Sequence, residues 1–314
     1  EVLDFGFWFL NSKGEKLRVR KDLSQDQLTA FFDPGKPSIV FIHDAQTGLI
    51  KTNTFENLQL SIPSQAIDVY LPKLWNDKNY NFILYNWSQF ADDDELAIVE
   101  KKIWDATGMT FRDSKDILRN VPSTIAGKNM NQLMTESFDE IKNIISPSQL
   151  RITGHGLGAQ MAIYLTKHIK QTSSNLIERL VMIDPFWTKG DKDYFTPVSS
   201  TAIKAINDIK IIKSDKNSIP VETYKTTRFD HKGKTNLNYP DGDDNLTLPG
   251  ITAFLQLPTP WATALSFNPE YKKVYGEALQ KHEAAKYWYL YSIGAAEQPK
   301  IITAVRPVND EGED

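Results

Sequence analysis

Apolar positions along the chain follow two patterns in alternation. Ser38-Ile39-Val40-Phe41-Ile42-His43 and Asn81-Phe82-Ile83-Leu84-Tyr85-Asn86-Trp87 are short, nearly continuous apolar runs, as are Leu150 to Thr153, Leu180 to Ile183 and Ile209 to Ile212. Such runs suit strands buried on both faces of a mostly parallel sheet. Between them apolar residues step by three and four, as Leu96, Val99 and Ile103 do, and again Met134, Phe138, Ile141 and Ile145. That spacing puts them on one stripe of a helix. Strand and helix in turn predict an α/β fold, a central sheet flanked by helices.

The alternation lapses between about residues 241 and 280. Pro249, Pro258, Pro260 and Pro269 fall there with Phe254, Trp261 and Phe267, in weak periodicity. An irregular insertion of this kind is either a lid or binding loop, or a packed loop without a role. Asn309 to Asp314 reads as a solvated acidic tail. No repeat, low-complexity tract or linker divides the remainder, so residues 1–308 read as one domain.

Composition narrows the classes. A chain of 314 residues can build one large α/β core, and 40% hydrophobic against 24% charged residues is too apolar for disorder. Thirty-six basic and 40 acidic residues give a net charge of −4, without the clustered basic excess of a nucleic-acid surface. No apolar run nears the ~20 residues that span a bilayer. There are no cysteines, so disulfides, thiolate metal sites and a cysteine nucleophile are all excluded, while the compartment stays open. The chain starts at Glu1 rather than Met and is expected to be a processed product, in which a missing leader carries no meaning.

Candidate chemistry lies in Arg151-Ile152-Thr153-Gly154-His155-Gly156-Leu157-Gly158-Ala159-Gln160. A β-favouring run, then glycines at 154, 156 and 158, then a helical stretch with small Ala159 and Ala162, has the form of the G-x-S-x-G elbow. Gly156 stands where the nucleophilic serine would be. A generic glycine turn also fits these five residues when they are taken alone. A dinucleotide fingerprint does not fit, because it spaces its glycines G-x-G-x-x-G.

Further segments in order make the chain resemble the pancreatic-lipase-like family of α/β-hydrolases over roughly residues 5–295. Phe7-Trp8-Phe9-Leu10 is similar to the family's opening strand, Ile39 to Gly48 to the strand and loop of its H-G-F oxyanion motif, and Asn81 to Trp87 to its V-x-V-x-D-W strand. Asn120-Val121-Pro122-Ser123-Thr124 and Ser146-Pro147-Ser148-Gln149 match as well. The resemblance implies an α/β-hydrolase fold and a triad in the order nucleophile, acid, histidine. Gly156 takes the first place. Asp184, in Ile183-Asp184-Pro185, takes the second. His282, ahead of the aromatic run Tyr287-Trp288-Tyr289-Leu290-Tyr291-Ser292-Ile293, takes the third.

The same resemblance makes Ala45 and Leu157 the oxyanion-hole equivalents. The glycine and phenylalanine of the H-G-F loop read Asp44 and Ala45 here, and the aspartate of the next strand reads Asn86. A carboxylate at 44 would repel a developing oxyanion. A lipase-like chain with its serine lost resembles the yolk proteins of insects, which implies an inactive pseudo-lipase, secreted, taken up by an oocyte receptor and stored in yolk granules as a nutrient reservoir.

Two other readings stay open. One is a carrier holding an apolar lipid or sterol ester in the vestigial pocket. The other is an esterase with a different nucleophile, Ser123 or Ser146. Neither a metal nor a cofactor is expected. Asp92-Asp93-Asp94-Glu95 could draw a cation but reads better as charge at a helix N-terminus. Asn245-Leu246-Thr247 is a glycosylation sequon in the insertion. Asn86-Trp87-Ser88 is a second, at the end of a strand expected to be buried.

Overall fold

The computed structural model describes residues 3–46, 58–62, 67–145, 149–172, 177–188, 190–214, 218–224, 264–267, 285–286, 289–290 and 292–294. His282, Ser146, Asn245, the acidic tail and nearly all of the 241–280 insertion lie outside the described residues.

The chain opens with strands β1 (Gly6–Leu10) and β2 (Lys16–Arg18), a short helix α1 (Gln25–Thr29) and strand β3 (Ser38–Ile42). A two-stranded ribbon, β4 (Gln59–Ile62) with β5 (Ile67–Tyr70), precedes helix α2 (Leu71–Asp77) and strand β6 (Asn81–Asn86). Helices α3 (Ser88–Ala91) and α4 (Leu96–Trp104) lead to a second ribbon, β7 (Thr110–Arg112) and β8 (Leu118–Asn120), and then helix α5 (Met130–Ile145). Strand β9 (Leu150–His155), helix α6 (Gly158–Thr172), strand β10 (Ile177–Ile183), helix α7 (Thr201–Ile212) and strands β11 (Val221–Tyr224) and β12 (Ala264–Phe267) complete the order.

Eight of these strands form one sheet in the order β12-β11-β10-β9-β3-β6-β1-β2. β1 pairs antiparallel with both β2 and β6, and from β6 to β12 every pairing is parallel. The fold is that of an α/β-hydrolase, a mostly parallel sheet with helices on its faces.

Alternation along the strands divides the core in two. Val40 and Ile42 of β3, Ile83 and Tyr85 of β6 and Ile152 of β9 face one buried cluster, with Val99 and Ile103 of α4, Met134 and Phe138 of α5, and Met161 and Leu165 of α6. Ile39, Phe41, Phe82 and Leu84 face the other, against Trp75 of α2 and Ala285, Tyr289 and Leu290. The period of two in a strand sends neighbouring residues to opposite faces, so an unbroken apolar run fills both layers.

One expected strand is a helix. Ile209 to Ile212 forms the last turn of α7, where Ala202, Ala205, Ile209 and Ile212 are buried at steps of three, four and three. The Ser200 side chain caps the helix by accepting the Ile203 N–H at 3.2 Å. Three β-branched residues among the four positions 209–212 resemble a strand locally, but the stripe extends back to Ala202 and the cap sets its phase. The strand that follows in the sheet is β11.

Candidate functional site

Three adjacent parallel strands end side by side, and their ends bring the candidate residues together. β3 runs into His43 and Asp44, β9 into Gly156, and β10 into Asp184. In open α/β sheets sites form at this carboxyl edge.

Gly156 forms the turn between β9 and α6 with φ +54, a left-handed conformation that costs glycine little and strains other residues. Its flanking glycines serve contact. A Cβ on Gly154 would lie 2.4 Å from the Gly158 carbonyl oxygen, and one on Gly158 would lie 2.3 Å from that of His43. Strand, helix and the neighbouring loop therefore touch backbone to backbone. A generic glycine turn needs no such contacts; a strand-to-helix elbow does.

Asp44 occupies the space in front of Gly156. A Cβ built on Gly156 would fall 2.0 Å from Asp44 Cγ and 2.1 and 2.2 Å from its two oxygens. Asp44 Oδ1 accepts the Leu157 backbone N–H at 2.6 Å. Leu157 is one of the two residues assigned to the oxyanion hole. The other, Ala45, is half-buried beside Asp44 and packs on the core. The sequence pointed to Asp44 as an unfavourable neighbour of an oxyanion. In the fold its carboxylate is the occupant of that donor and of the volume a nucleophilic side chain would use.

His43 holds this loop in place. Its Nε2 accepts the Trp87 N–H at 3.1 Å, so the proton is on Nδ1, which donates to the Asp44 carbonyl at 2.7 Å. Trp87 Nε1 donates to the His43 carbonyl at 2.9 Å, and the two rings stack. Burial pushes the imidazole pKa down to about 4, so at neutral pH His43 is an uncharged prop with both nitrogens engaged. Asn86 is fully buried, donates to the Asp4 carbonyl at 2.8 Å and accepts from Ser88 Oγ at 2.8 Å. Its sequon is closed to modification in the folded chain.

The acid position packs directly on the elbow. The Gly156 N–H donates to the Ile183 carbonyl at 2.9 Å, and the Phe186 N–H returns to the Gly156 carbonyl at 3.4 Å. Asp184 between them is buried, has φ +41, and donates its own N–H to the Tyr224 carbonyl at 2.6 Å. A non-glycine residue held in this conformation marks a site where the fold imposes geometry. The structure thus joins Gly156, Leu157, Ala45 and Asp184. Ser123 is exposed in the turn after β8.

Glu100 escaped the sequence reading. It is fully buried on α4, and its Oε1 accepts from Gln160 Nε2 at 2.6 Å, the Thr188 N–H at 2.9 Å and Thr201 Oγ1 at 2.9 Å. Oε2 accepts from Thr188 Oγ1 and lies 3.7 Å from Lys192 Nζ. Burial raises its pKa above the usual carboxylate range. Gln160 also donates to the Phe186 carbonyl at 2.8 Å, so this network braces the elbow helix against the acid loop. The signal was present: Glu100 sits four residues after Leu96 and three before Ile103, on the core-facing stripe.

The acidic run at 92–95 is resolved by pairing. Asp93 bonds Lys102 at 2.9 Å, both buried, while Arg112 reaches Asp92 at 3.6 Å and Asp94 at 3.2 Å. Glu95 is the N-cap of α4 but makes no side-chain capping bond. Asp92 and Asp93 thus lie in ion pairs within the chain as well as just ahead of α4. Among the described residues no group of three or more His, Asp or Glu is placed to hold a metal ion.

Neither a family model nor a curated protein sequence matches the chain. Solved structures do. An acylaminoacyl peptidase of Pyrococcus horikoshii is 11% identical, covering 95% of this chain and 43% of its own, with a TM-score of 0.42. The chain thus spans less than half the length of that peptidase. A carboxylesterase structure from the ammonia-oxidizing thaumarchaeon Nitrososphaera gargenis is 9% identical, covering 83% and 90%, with a TM-score of 0.42. A CIB-like hydrolase of Thermoplasma acidophilum is 11% identical, covering 93% and 100%, with a TM-score of 0.39. Strand order and elbow carry the fold assignment here. No helix among the described residues is long and apolar enough to cross a membrane.

Proposed function

We propose that this hydrolase scaffold carries no serine-hydrolase activity and that the protein is a lipase homologue retained as an egg-yolk storage protein, secreted and deposited in yolk granules. The observation that carries the first half is the residue at the elbow apex. Gly156 has no atom beyond its backbone to attack a carbonyl, and a serine hydrolase needs a hydroxyl there with a base in reach. The second half is supported by the resemblance to insect yolk proteins, and storage asks for no chemistry beyond a stable fold and later proteolysis. Fold alone does not fix function.

Storage is preferred to lipid carriage for a physical reason. A bound acyl ester would place its carbonyl oxygen at the Leu157 N–H, where the Asp44 carboxylate already accepts that hydrogen bond. Two acceptors cannot share one donor without weakening both.

The test of the first half is incubation of the purified protein with a fluorophosphonate probe and with a short-chain p-nitrophenyl ester. The expected outcome is no adduct and no turnover above buffer. An adduct mapped by peptide mass spectrometry to any serine of this chain overturns it. For the second half, antibody staining of oocytes and embryos is expected to place the protein in yolk granules and to fade as the embryo grows. Staining confined to other tissues rejects storage.

A further inference from the structure

We propose that Gly156 and Asp44 form a reciprocal interlock: a side chain at position 156 and the hydrogen bond from the Leu157 N–H to Asp44 exclude one another. The inference stands apart from the storage reading, because it concerns two positions in the fold and not what the protein is for.

The steric half rests on distance. Three atoms of the Asp44 carboxyl group lie 2.0 to 2.2 Å from the place of a Cβ on Gly156, far inside van der Waals contact. Relief cannot come from the elbow, since Gly154 and Gly158 are already in backbone contact with their neighbours and Gly156 is tied through both N–H and carbonyl to the acid loop. It cannot come from the Asp44 backbone either. His43 Nδ1 holds the Asp44 carbonyl, Trp87 holds the His43 carbonyl, and α6 packs on that same carbonyl through Gly158. What remains is rotation of the Asp44 side chain.

The electrostatic half sets what that rotation loses. The Leu157 N–H lies immediately before α6, a helix of 15 residues, where unsatisfied donors and the helix dipole favour a negative group. A carboxylate accepting at 2.6 Å is a charge-assisted bond, stronger than a neutral one. Swinging Asp44 away to admit a side chain leaves the donor without its acceptor. Restoring a serine at 156 alone would therefore displace the Asp44 carboxylate from the Leu157 N–H.

A double-mutant cycle of Gly156→Ala with Asp44→Gly tests the interlock, because alanine's strain at φ +54 is common to both backgrounds and cancels. Gly156→Ala is expected to lower Tm at least twice as far in the native background as in Asp44→Gly. In the native background it should also speed Leu157 amide exchange at least tenfold. Equal drops in Tm overturn the proposal, whatever the exchange rate. If Gly156→Ala does not fold in either background, Leu157 exchange is compared between the native protein and Asp44→Gly alone. At least tenfold faster exchange in the variant supports the interlock, and unchanged exchange overturns it.

Discussion

Burial at His43 gives the fold a pH dependence of known sign. The folded pKa is about 4 against an ordinary 6.5, so between those values the unfolded chain binds more protons than the folded one. The stabilisation by neutral His43 is therefore complete above pH 6.5 and is lost as the pH falls toward 4. The shift corresponds to about 3 kcal/mol at most. Urea unfolding at pH 7 and pH 4.5 is expected to show this loss in the native protein, with a His43→Gln variant losing distinctly less over the same interval. Equal acid sensitivity in the two proteins would place the dependence elsewhere. The same residue-scale logic applies to Asp44, whose importance lies in the donor it satisfies and the volume it fills.

Elements in this chain are decided by phase as much as by propensity. Helix α7 contains Ile209, Ile211 and Ile212, residues that favour strands, and it is helical because its buried positions continue the stripe begun at Ala202 and because Ser200 starts it. A capping side chain contributes about 1 kcal/mol in such a position. Ser200→Ala is expected to lower stability by that amount in chemical denaturation, with the larger share of any lost hydrogen-exchange protection in the first turn of α7. No change in either would mean that tertiary packing alone sets the start of the helix. Helix α4 teaches the complementary lesson. Its stripe contains Glu100, a charged residue at a core-facing place, and the fold accommodates it by converging four donor groups on one carboxylate.

Over the whole molecule, the two faces of the sheet are held differently. On one, helices α4 to α7 cover a layer of mixed aliphatic and aromatic side chains. On the other, Arg151 of β9 joins the sheet to the segment around Tyr289. Its guanidinium bonds Glu178 at 2.7 Å and the Tyr289 hydroxyl at 3.4 Å, and lies 5.3 Å and 5.5 Å from the ring centroids of Trp75 and Tyr80. Removing the buried Arg151 guanidinium forfeits a charge-assisted hydrogen bond and its contacts with two rings, about 2–3 kcal/mol together, while Glu178, part-exposed, keeps Arg179 at 3.1 Å. Arg151→Met is expected to reduce stability on that scale in guanidinium unfolding, with the loss of exchange protection reaching the Ile293 N–H, which bonds the Tyr289 carbonyl. A cost below about 1 kcal/mol would show that aromatic packing around Trp75 suffices without the ion pair.

The sequence by itself determined the class of fold and the apex of the elbow. Continuous apolar runs can be buried on both faces only in a covered parallel sheet, and a glycine triplet between such a run and a helix leaves few backbone geometries open. It also showed that Gly156 has no nucleophile to offer, since that is a matter of atoms present. Tertiary structure decided the rest of the site. Asp44 and Leu157 are 113 residues apart, and nothing local to either states that one carboxylate will fill both the hole and the space before Gly156. Glu100, Thr188 and Thr201 likewise meet only when α4, the acid loop and α7 are packed. Periodicity is a property of neighbours in sequence. Which donor a buried charge finds depends on contacts across the fold, and those exist only once the sheet has brought its strand ends together.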